Sequence, residues 1–289
     1  MPWELVANVA IAGVLTGLVY GLMALGLSVI FGVVRVVNFA HGEMMTVAMY
    51  AAAVLFAHWQ IDPFVALVPV ALAFFALGYA MQAGLINPFI TRPEHSQFML
   101  LVAVATIMVN VLLIGFGPGA RGVQVDYQLE SFALGALIFD KARVYAALAA
   151  LATAAALFAF FRFTLAGKAI RACADNWLGA KVVGLDVKRY YALTFGLGSA
   201  CVAAAGCMMV LLVDVTPVLG PAYTLLAFVI VIVGGLGSMP GALLGGVLIG
   251  LSEALAGLLI EPSAKSMFSF ALLILVLLFR PQGLLGRKP

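Results

Sequence analysis

Charge is scarce in this chain. Its 289 residues include 15 Lys+Arg and 12 Asp+Glu, 9% in all, while 65% are hydrophobic; soluble domains carry about 25% charged residues. Mean hydropathy is +1.18. So few charges cannot clothe a water-facing globule this apolar, and hydrocarbon must be much of its solvent. Cysteine is equally sparse: Cys173, Cys201 and Cys207 are an odd count with no CxxC spacing, which excludes a disulfide framework and a thiolate zinc site and leaves small apolar packing residues. No Lys or Arg precedes the first apolar run in MPWELVANVA, so the basic start of a cleaved signal peptide is missing and the run reads as a retained span. The net charge of +3 comes from basic residues without a dense or aromatic-interleaved patch, which excludes nucleic acid as a partner. His58 and His95 lie far from His41, and neither HExxH nor an Asp-rich loop occurs, so no metal site is expected. The phosphate-cradling GxxxxGK[ST] is absent: Gly167-Lys168 is followed by Ala169, and Arg162 stands where the first glycine should be. The chain should hydrolyse no ATP itself. Without GxSxG, a nucleophile beside a base, or paired carboxylates, enzyme is the weaker class.

What is present is a series of long apolar runs. A hydrocarbon core about 30 Å thick needs roughly 20 residues per helix. Runs of that size predict nine spans near residues 5–34, 38–58, 63–86, 96–117, 142–163, 190–213, 222–238, 240–260 and 264–280. The seventh is short and runs into GGLGSMPG, so eight spans plus a re-entrant piece is an alternative. The predicted fold is an all-α polytopic membrane protein of about 8–9 transmembrane helices with discontinuous or re-entrant segments, a single domain over 1–289. Cytoplasmic loops retain Lys and Arg. An outside N-terminus and an inside C-terminus put eleven basic residues within: Arg35, Arg92, six in the loop 164–189 with its border (Arg162, Lys168, Arg171, Lys181, Lys188, Arg189), and Arg280, Arg287 and Lys288. Arg121, Lys141, Arg143 and Lys265 remain outside, against acidic Glu4, Asp62, Asp126, Glu130, Asp140, Asp214 and Glu261.

Two carboxylates, Glu43 and Glu253, fit no loop, and an ionisable group at such depth is a functional candidate unless it sits at the membrane edge or anchors a neighbouring helix. Glu43 belongs to a polar cluster, Asn38 to Met45, at the start of the second span. Asn38, His41 and Met45 share one helical face, whereas Glu43 lies about 200° from His41, a poor acid/base pair. Asn38 either caps the second span or joins His41 and Glu43 in lining a path. Gly13, Gly17 and Gly21 form overlapping GxxxG patterns, as do Gly241/Gly245 and Gly246/Gly250, which predicts close helix packing. Tyr20–Tyr50 and Tyr223–Gly250 share an outline of helix, Gly-containing break and small-residue helix, a weak parallel repeat of the kind that marks a midplane path, which chance Gly-rich composition explains as well. The loop 164–189 reads as a short amphipathic cytoplasmic helix stopping near Gly184. Such a helix either lies on anionic lipid or docks in a groove of a cytoplasmic partner.

The segments GLVYGLMALGLSVIFGVVRVVNFAHGEMMTVAMYAA (17–53), GKAIRACADNWLGAKVVGLDVKRYYALTFGLGSA (167–200), GGLGSMPGALLGGVLIGLSEAL (234–255) and SFALLILVLLFRPQGLLGR (269–287), in this order, resemble the first permease of branched-chain amino acid ABC importers. The resemblance implies an inner-membrane permease that works with a second homologous permease, two cytoplasmic ATPases and a periplasmic substrate-binding protein, amid membrane lipid. ATP would be used by the ATPases, with no cofactor on this chain. It implies too that 164–189 is a coupling loop, with Arg171, Asp175 and Gly184 as coupling candidates, and that 118–141 is the periplasmic loop facing the binding protein. Asn38, His41, Glu43 and Glu253 are the candidates for the substrate path. Related permeases serve amides, urea and other amino acids, and no residue here separates these. The competing expectation is an ion-gradient-driven secondary transporter in which Glu43 and Glu253 carry protons.

Overall fold

The computed structural model describes residues 3–90, 92–135, 137–260 and 265–286. Glu261, Arg287 and Lys288, counted above for charge, lie outside these residues, as does the side chain of Lys265. Eleven helices are described: α1 (Trp3–Val34), α2 (His41–Trp59), α3 (Pro63–Ala80), α4 (Glu94–Phe116), α5 (Lys141–Phe163), α6 (Leu165–Asp175), α7 (Trp177–Val182), α8 (Val187–Met209), α9 (Gly220–Gly234), α10 (Met239–Leu259) and α11 (Lys265–Phe279). A π turn, Met81–Ile86, and a short 3₁₀ turn, Asn87–Phe89, prolong α3. Among the described residues six helices are long and apolar enough to cross a membrane, and the chain is a multi-pass membrane protein. The helix α2 fails that test on composition, because His41, Glu43 and His58 interrupt its apolar run; α9 and the apolar part of α11 fall short in length.

The helices α1 and α8 form the centre of the bundle, with 78% and 83% of their most apolar windows buried, against 17% for α4 and 28% for α3. A helix apolar on all sides belongs either in a core or in lipid, and glycine decides which. A side-chain carbon on Gly17 would lie 2.7 Å from the Gly246 carbonyl and 2.8 Å from the Val247 Cα, so the backbones of α1 and α10 touch. Gly13 and Gly21 meet α10 in the same way, at Ala254 and Leu243. The two motifs of α10 face different partners: Gly246 and Gly250 meet α1, while Gly241 and Gly245 meet Gly234 and Ile230 of α9. Cys173, Cys201 and Cys207 are all buried and unbridged.

The bundle is helical as expected, and the stretch 118–141 adds a small hairpin outside it. Its strands β1 (Ser131–Leu134) and β2 (Leu137–Asp140) pair antiparallel. This stretch is strapped to the bundle. Arg121 and Val215 exchange backbone hydrogen bonds of 2.9 and 2.8 Å, Gln128 donates to the Leu211 carbonyl at 2.8 Å, and Lys141 pairs with Glu130. The Tyr127 hydroxyl donates to both Asp62 oxygens, at 3.0 and 2.9 Å. Burial, with that hydrogen bond, pushes the Tyr127 phenol well above its usual range, so it stays a donor.

The single amphipathic helix expected in 164–189 is instead two. Asn176 is extended (φ −150°, ψ 95°) and its side chain accepts from the Gly179 N–H, which ends α6 and caps α7. Gly184 is the stop: at φ +87° it lets the Leu185 N–H reach back to the Ala180 carbonyl at 3.0 Å. Nor do the two Gly-containing breaks match. Residues 235–238 make a tight turn between the adjacent helices α9 and α10, whereas 35–38 have no regular structure, run into the bundle and turn into α2 at 39–40. Beyond α11 the chain returns to α9, where the Leu284 and Leu285 N–H groups satisfy the Val233 and Gly234 carbonyls, each at 2.9 Å.

Candidate functional site

The helix α1 closes at Val34, and Arg35 adopts a left-handed φ of 58° that turns the chain. His41, the first residue of α2, is bonded through Nε2 to the Met23 carbonyl at 2.9 Å. Met23 precedes the end of α1 by three turns, and at 1.5 Å per residue that is about 16 Å along the axis. The intervening residues therefore run back along α1, and α2 begins in the interior rather than at an end of the bundle. Non-helical backbone at such depth is tolerated only where protein or a cavity covers it, and Val36, Asn38 and Ala40 are buried.

This arrangement gathers polar side chains. Asn38, His41 and Glu43 are 0%, 0% and 4% exposed. Asn38 does not cap α2 from the capping position, which Ala40 occupies without a side-chain bond. Its Oδ1 accepts from the Ala40 N–H at 3.1 Å, an Asx turn that folds the last extended residues into the helix. A carbonyl can only accept, so His41 donates from Nε2, and its Nδ1 is left as a buried acceptor that meets no partner among the described residues. Glu43 points to another neighbour. Thr224, in the first turn of α9, donates to Glu43 Oε2 at 2.9 Å and accepts from the Gly42 N–H at 2.8 Å. Gly220 opens α9 directly against Glu43, where a side-chain carbon would lie 2.9 Å from the Glu43 Cα. Two helix N-termini thus meet at Glu43. As the 200° separation implied, His41 and Glu43 serve different helices.

Glu253 stands apart from this trio. It accepts from Ser269 of α11 at 2.8 Å and lines a cavity of about 400 Å³ with Tyr20 and Arg143. The first turn of α9 lies between the two carboxylates: Thr224 holds Glu43, and Tyr223 sets its ring edge-on to Tyr20 with centroids 6.4 Å apart. Sequence reading missed Thr224, Gly220 and Arg143. Pro221, suited to the first turn of a helix, was a usable sign that α9 starts at Gly220, but nothing local tells which carboxylate Thr224 would meet.

The coupling candidates lie on α6 and just beyond α7. Arg171 and Asp175 are exposed on α6, and Gly184 is exposed beyond α7. Arg171, Asp175, Arg35 and Lys168 line a cavity of about 1100 Å³ against the turn between α9 and α10. Asp175 also lines a second cavity, of about 960 Å³, with Asn87, Lys181 and Lys188. The small helix α7 and its end present apolar side chains outward: Trp177 and Leu178 are each 57% exposed, Val182 81% and Val183 76%. Burial pushes the Cys173 thiol, on the inner face of α6, above its usual range, which makes it a packing residue and not a nucleophile.

The sequence profile of the family described as "Branched-chain amino acid transport system / permease component" matches residues 9–277. Among relatives, the high-affinity branched-chain amino acid transport system permease protein LivH of Salmonella typhimurium is 31% identical, covering 95% of this chain and 94% of its own length. The LivH protein of Escherichia coli K12 is 30% identical with the same coverage, and the BraD protein of Pseudomonas aeruginosa 27%. No solved structure matches the chain. With the profile spanning nearly all of α1 to α11, the chain belongs to the branched-chain amino acid transport system permease family.

Proposed function

We propose that this chain is the membrane-spanning permease subunit of an ATP-driven importer that carries branched-chain or related amino acids across the inner membrane. The match over residues 9–277 carries this reading. The arrangement is one of nine spans, with α2, α9 and α11 added to the six long ones; the excess of Lys and Arg in the loop 164–189 with its border and in the C-terminal tail supports an outside N-terminus and an inside C-terminus. The partners are a second homologous permease, two cytoplasmic ATPases that use the ATP, and a periplasmic binding protein received at the 118–141 side, with lipid around the bundle.

In this reading α6 and α7 are the coupling element. Their exposed Trp177, Leu178, Val182 and Val183 form an apolar patch on a polar loop, which favours burial against protein, and Arg171 and Asp175 add charge beside it. ATPase closure would pull on α6–α7, and the permease pair would shift between outward and inward states according to the contact energy each gains. Asn38, His41, Glu43 and Glu253 are the proposed path residues. The three around α2 are closed off in this conformation, and they lie where an interior helix start would move when the bundle opens.

The test is uptake of labelled leucine into vesicles holding the chain, its partners and ATP. Uptake that persists without the ATPases, and stops with an uncoupler, would replace this reading with the ion-gradient transporter. A narrower expectation concerns Gly184. A β-branched residue there must hold the left-handed conformation at a cost of about 1–2 kcal/mol, which Gly184→Val relieves by loosening the end of α7. ATP-dependent uptake should fall at least about fivefold while the stability of the isolated chain falls by no more than that strain, about 1–2 kcal/mol, since nothing lies within 4 Å of that position to add a clash. Wild-type uptake in Gly184→Val would remove Gly184 from the coupling element.

A further inference from the structure

The cavity beside Glu253 has a chemistry that the family match does not assign. It lies between the first half of α1, the start of α5, the end of α8 and the second half of α10, and Val9, Met209 and Leu212 supply an apolar wall. The α1–α10 glycine contact builds its floor: Gly13 and Gly250 line it, and their missing side chains bring Glu253 alongside α1. Opposite charges share the space. Arg143 enters from the first turn of α5, where Asp140 accepts its backbone N–H at 3.3 Å and lies 3.8 Å from its Nε. That contact is loose and half-exposed, and among the described residues the two Nη nitrogens form no other ion pair. Glu253 is oriented by Ser269 at 2.8 Å. At about 400 Å³ the cavity falls in the range of small-molecule sites, about 300–1,000 Å³.

A guanidinium, a carboxylate and an aliphatic wall in one small cavity match a free amino acid with a branched side chain. The carboxylate of such a ligand suits the planar fork of arginine, its ammonium suits a carboxylate, and its side chain gains by leaving water. We propose that this cavity is a zwitterion subsite on the outward side of the permease: Arg143 takes the α-carboxylate, Glu253 the α-ammonium, and Val9, Met209 and Leu212 the side chain. The inference rests on the transport reading above and goes further, because it gives the permease its own contact with substrate after release from the binding protein.

The experiment measures equilibrium binding of labelled leucine to the purified permease–ATPase complex without the binding protein, with two competitors. Leucinamide lacks the carboxylate charge, and 4-methylpentanoate lacks the ammonium. Wild type should prefer leucine over each by at least about tenfold. Arg143→Gln should erase the preference over leucinamide and keep that over 4-methylpentanoate; Glu253→Gln should do the reverse. Each ratio is taken within one variant, so a lower folded fraction does not mimic the result. Absence of leucine binding to wild type at tens of millimolar, or unchanged ratios in both variants, overturns the subsite. Uptake by the complete wild-type system is measured alongside: if it is ATP-dependent while the subsite fails, only the subsite is withdrawn, and if it is not, the transport reading falls first.

Discussion

Gly17→Leu should leave a chain that is markedly less stable, with a melting temperature in detergent lower by about 10 °C. The first carbon of the new side chain meets backbone atoms of α10, the Gly246 carbonyl at 2.7 Å and the Val247 Cα at 2.8 Å. A side chain in the way could change rotamer. A backbone cannot, so α1 and α10 must separate along their length. Overpacking a tight site costs about 1–3 kcal/mol and more where the backbone must shift; with the loss of an interface held only by close approach, about 3 kcal/mol or more is expected. At about 2–4 °C per kcal/mol for chains somewhat smaller than this one, that is the stated shift. Gly115→Ala in α4 is the control, because nothing lies within 4 Å of it; it should hold or slightly raise the melting temperature. A Gly17→Leu chain that melts within 2 °C of wild type would show that the two helices do not depend on contact at this point.

Thr224→Val should have the next largest effect, in both stability and uptake. Valine keeps the shape, so no cavity opens and the change isolates the hydroxyl. That hydroxyl holds two buried groups: the Gly42 N–H, one of the unpaired donors at the start of α2, and the Glu43 side chain. Leaving a buried group unsatisfied costs about 1–3 kcal/mol. Interhelical bonds in membranes average less, nearer 0.6 kcal/mol, because the separated helices find other partners. Glu43 is only 4% exposed, which argues for the upper part of the combined range, about 2–3 kcal/mol. Thr224→Ser, which restores both bonds, should recover most of the loss. Ser199→Ala should cost much less, since the Ser199 hydroxyl bonds its own helix at the Phe195 carbonyl, 2.8 Å away. If Thr224→Val and Ser199→Ala are indistinguishable in unfolding and in uptake, the junction of α2 and α9 is packing alone.

Much of this was legible in the order of residues. The predicted apolar runs agree with the helix ends to within a few residues, because hydropathy needs only a local sum, and the stop at Gly184 acts on neighbours a few positions away. Glycine spacing correctly marked close packing, yet the same spacing in α10 serves α1 with one pair and α9 with the other. Local pattern also predicted one amphipathic helix where Asn176 makes two, since an extended residue in the middle of a helical period leaves no mark in hydropathy.

The site was legible as a set of residues but not as a place. Asn38, His41 and Glu43 stood out by being polar in an apolar run, and Glu253 by being charged in one. That rests on the cost of burying such groups, which holds for any fold. Their partners, the Met23 carbonyl, Thr224, Ser269 and the neighbouring Arg143, lie 18 or more positions away except Ser269, which is 16 from Glu253. Composition and period alone determined that this chain lives in a membrane as a helical bundle, because the solvent must match the surface and the backbone must satisfy its own hydrogen bonds there. Only the tertiary structure decided that residues 35–40 turn inward and start α2 beside Met23, and that Glu253 faces a cavity with Arg143 instead of joining Glu43. Those outcomes depend on which helix approaches which, and that is set by the summed fit of glycine faces across the bundle.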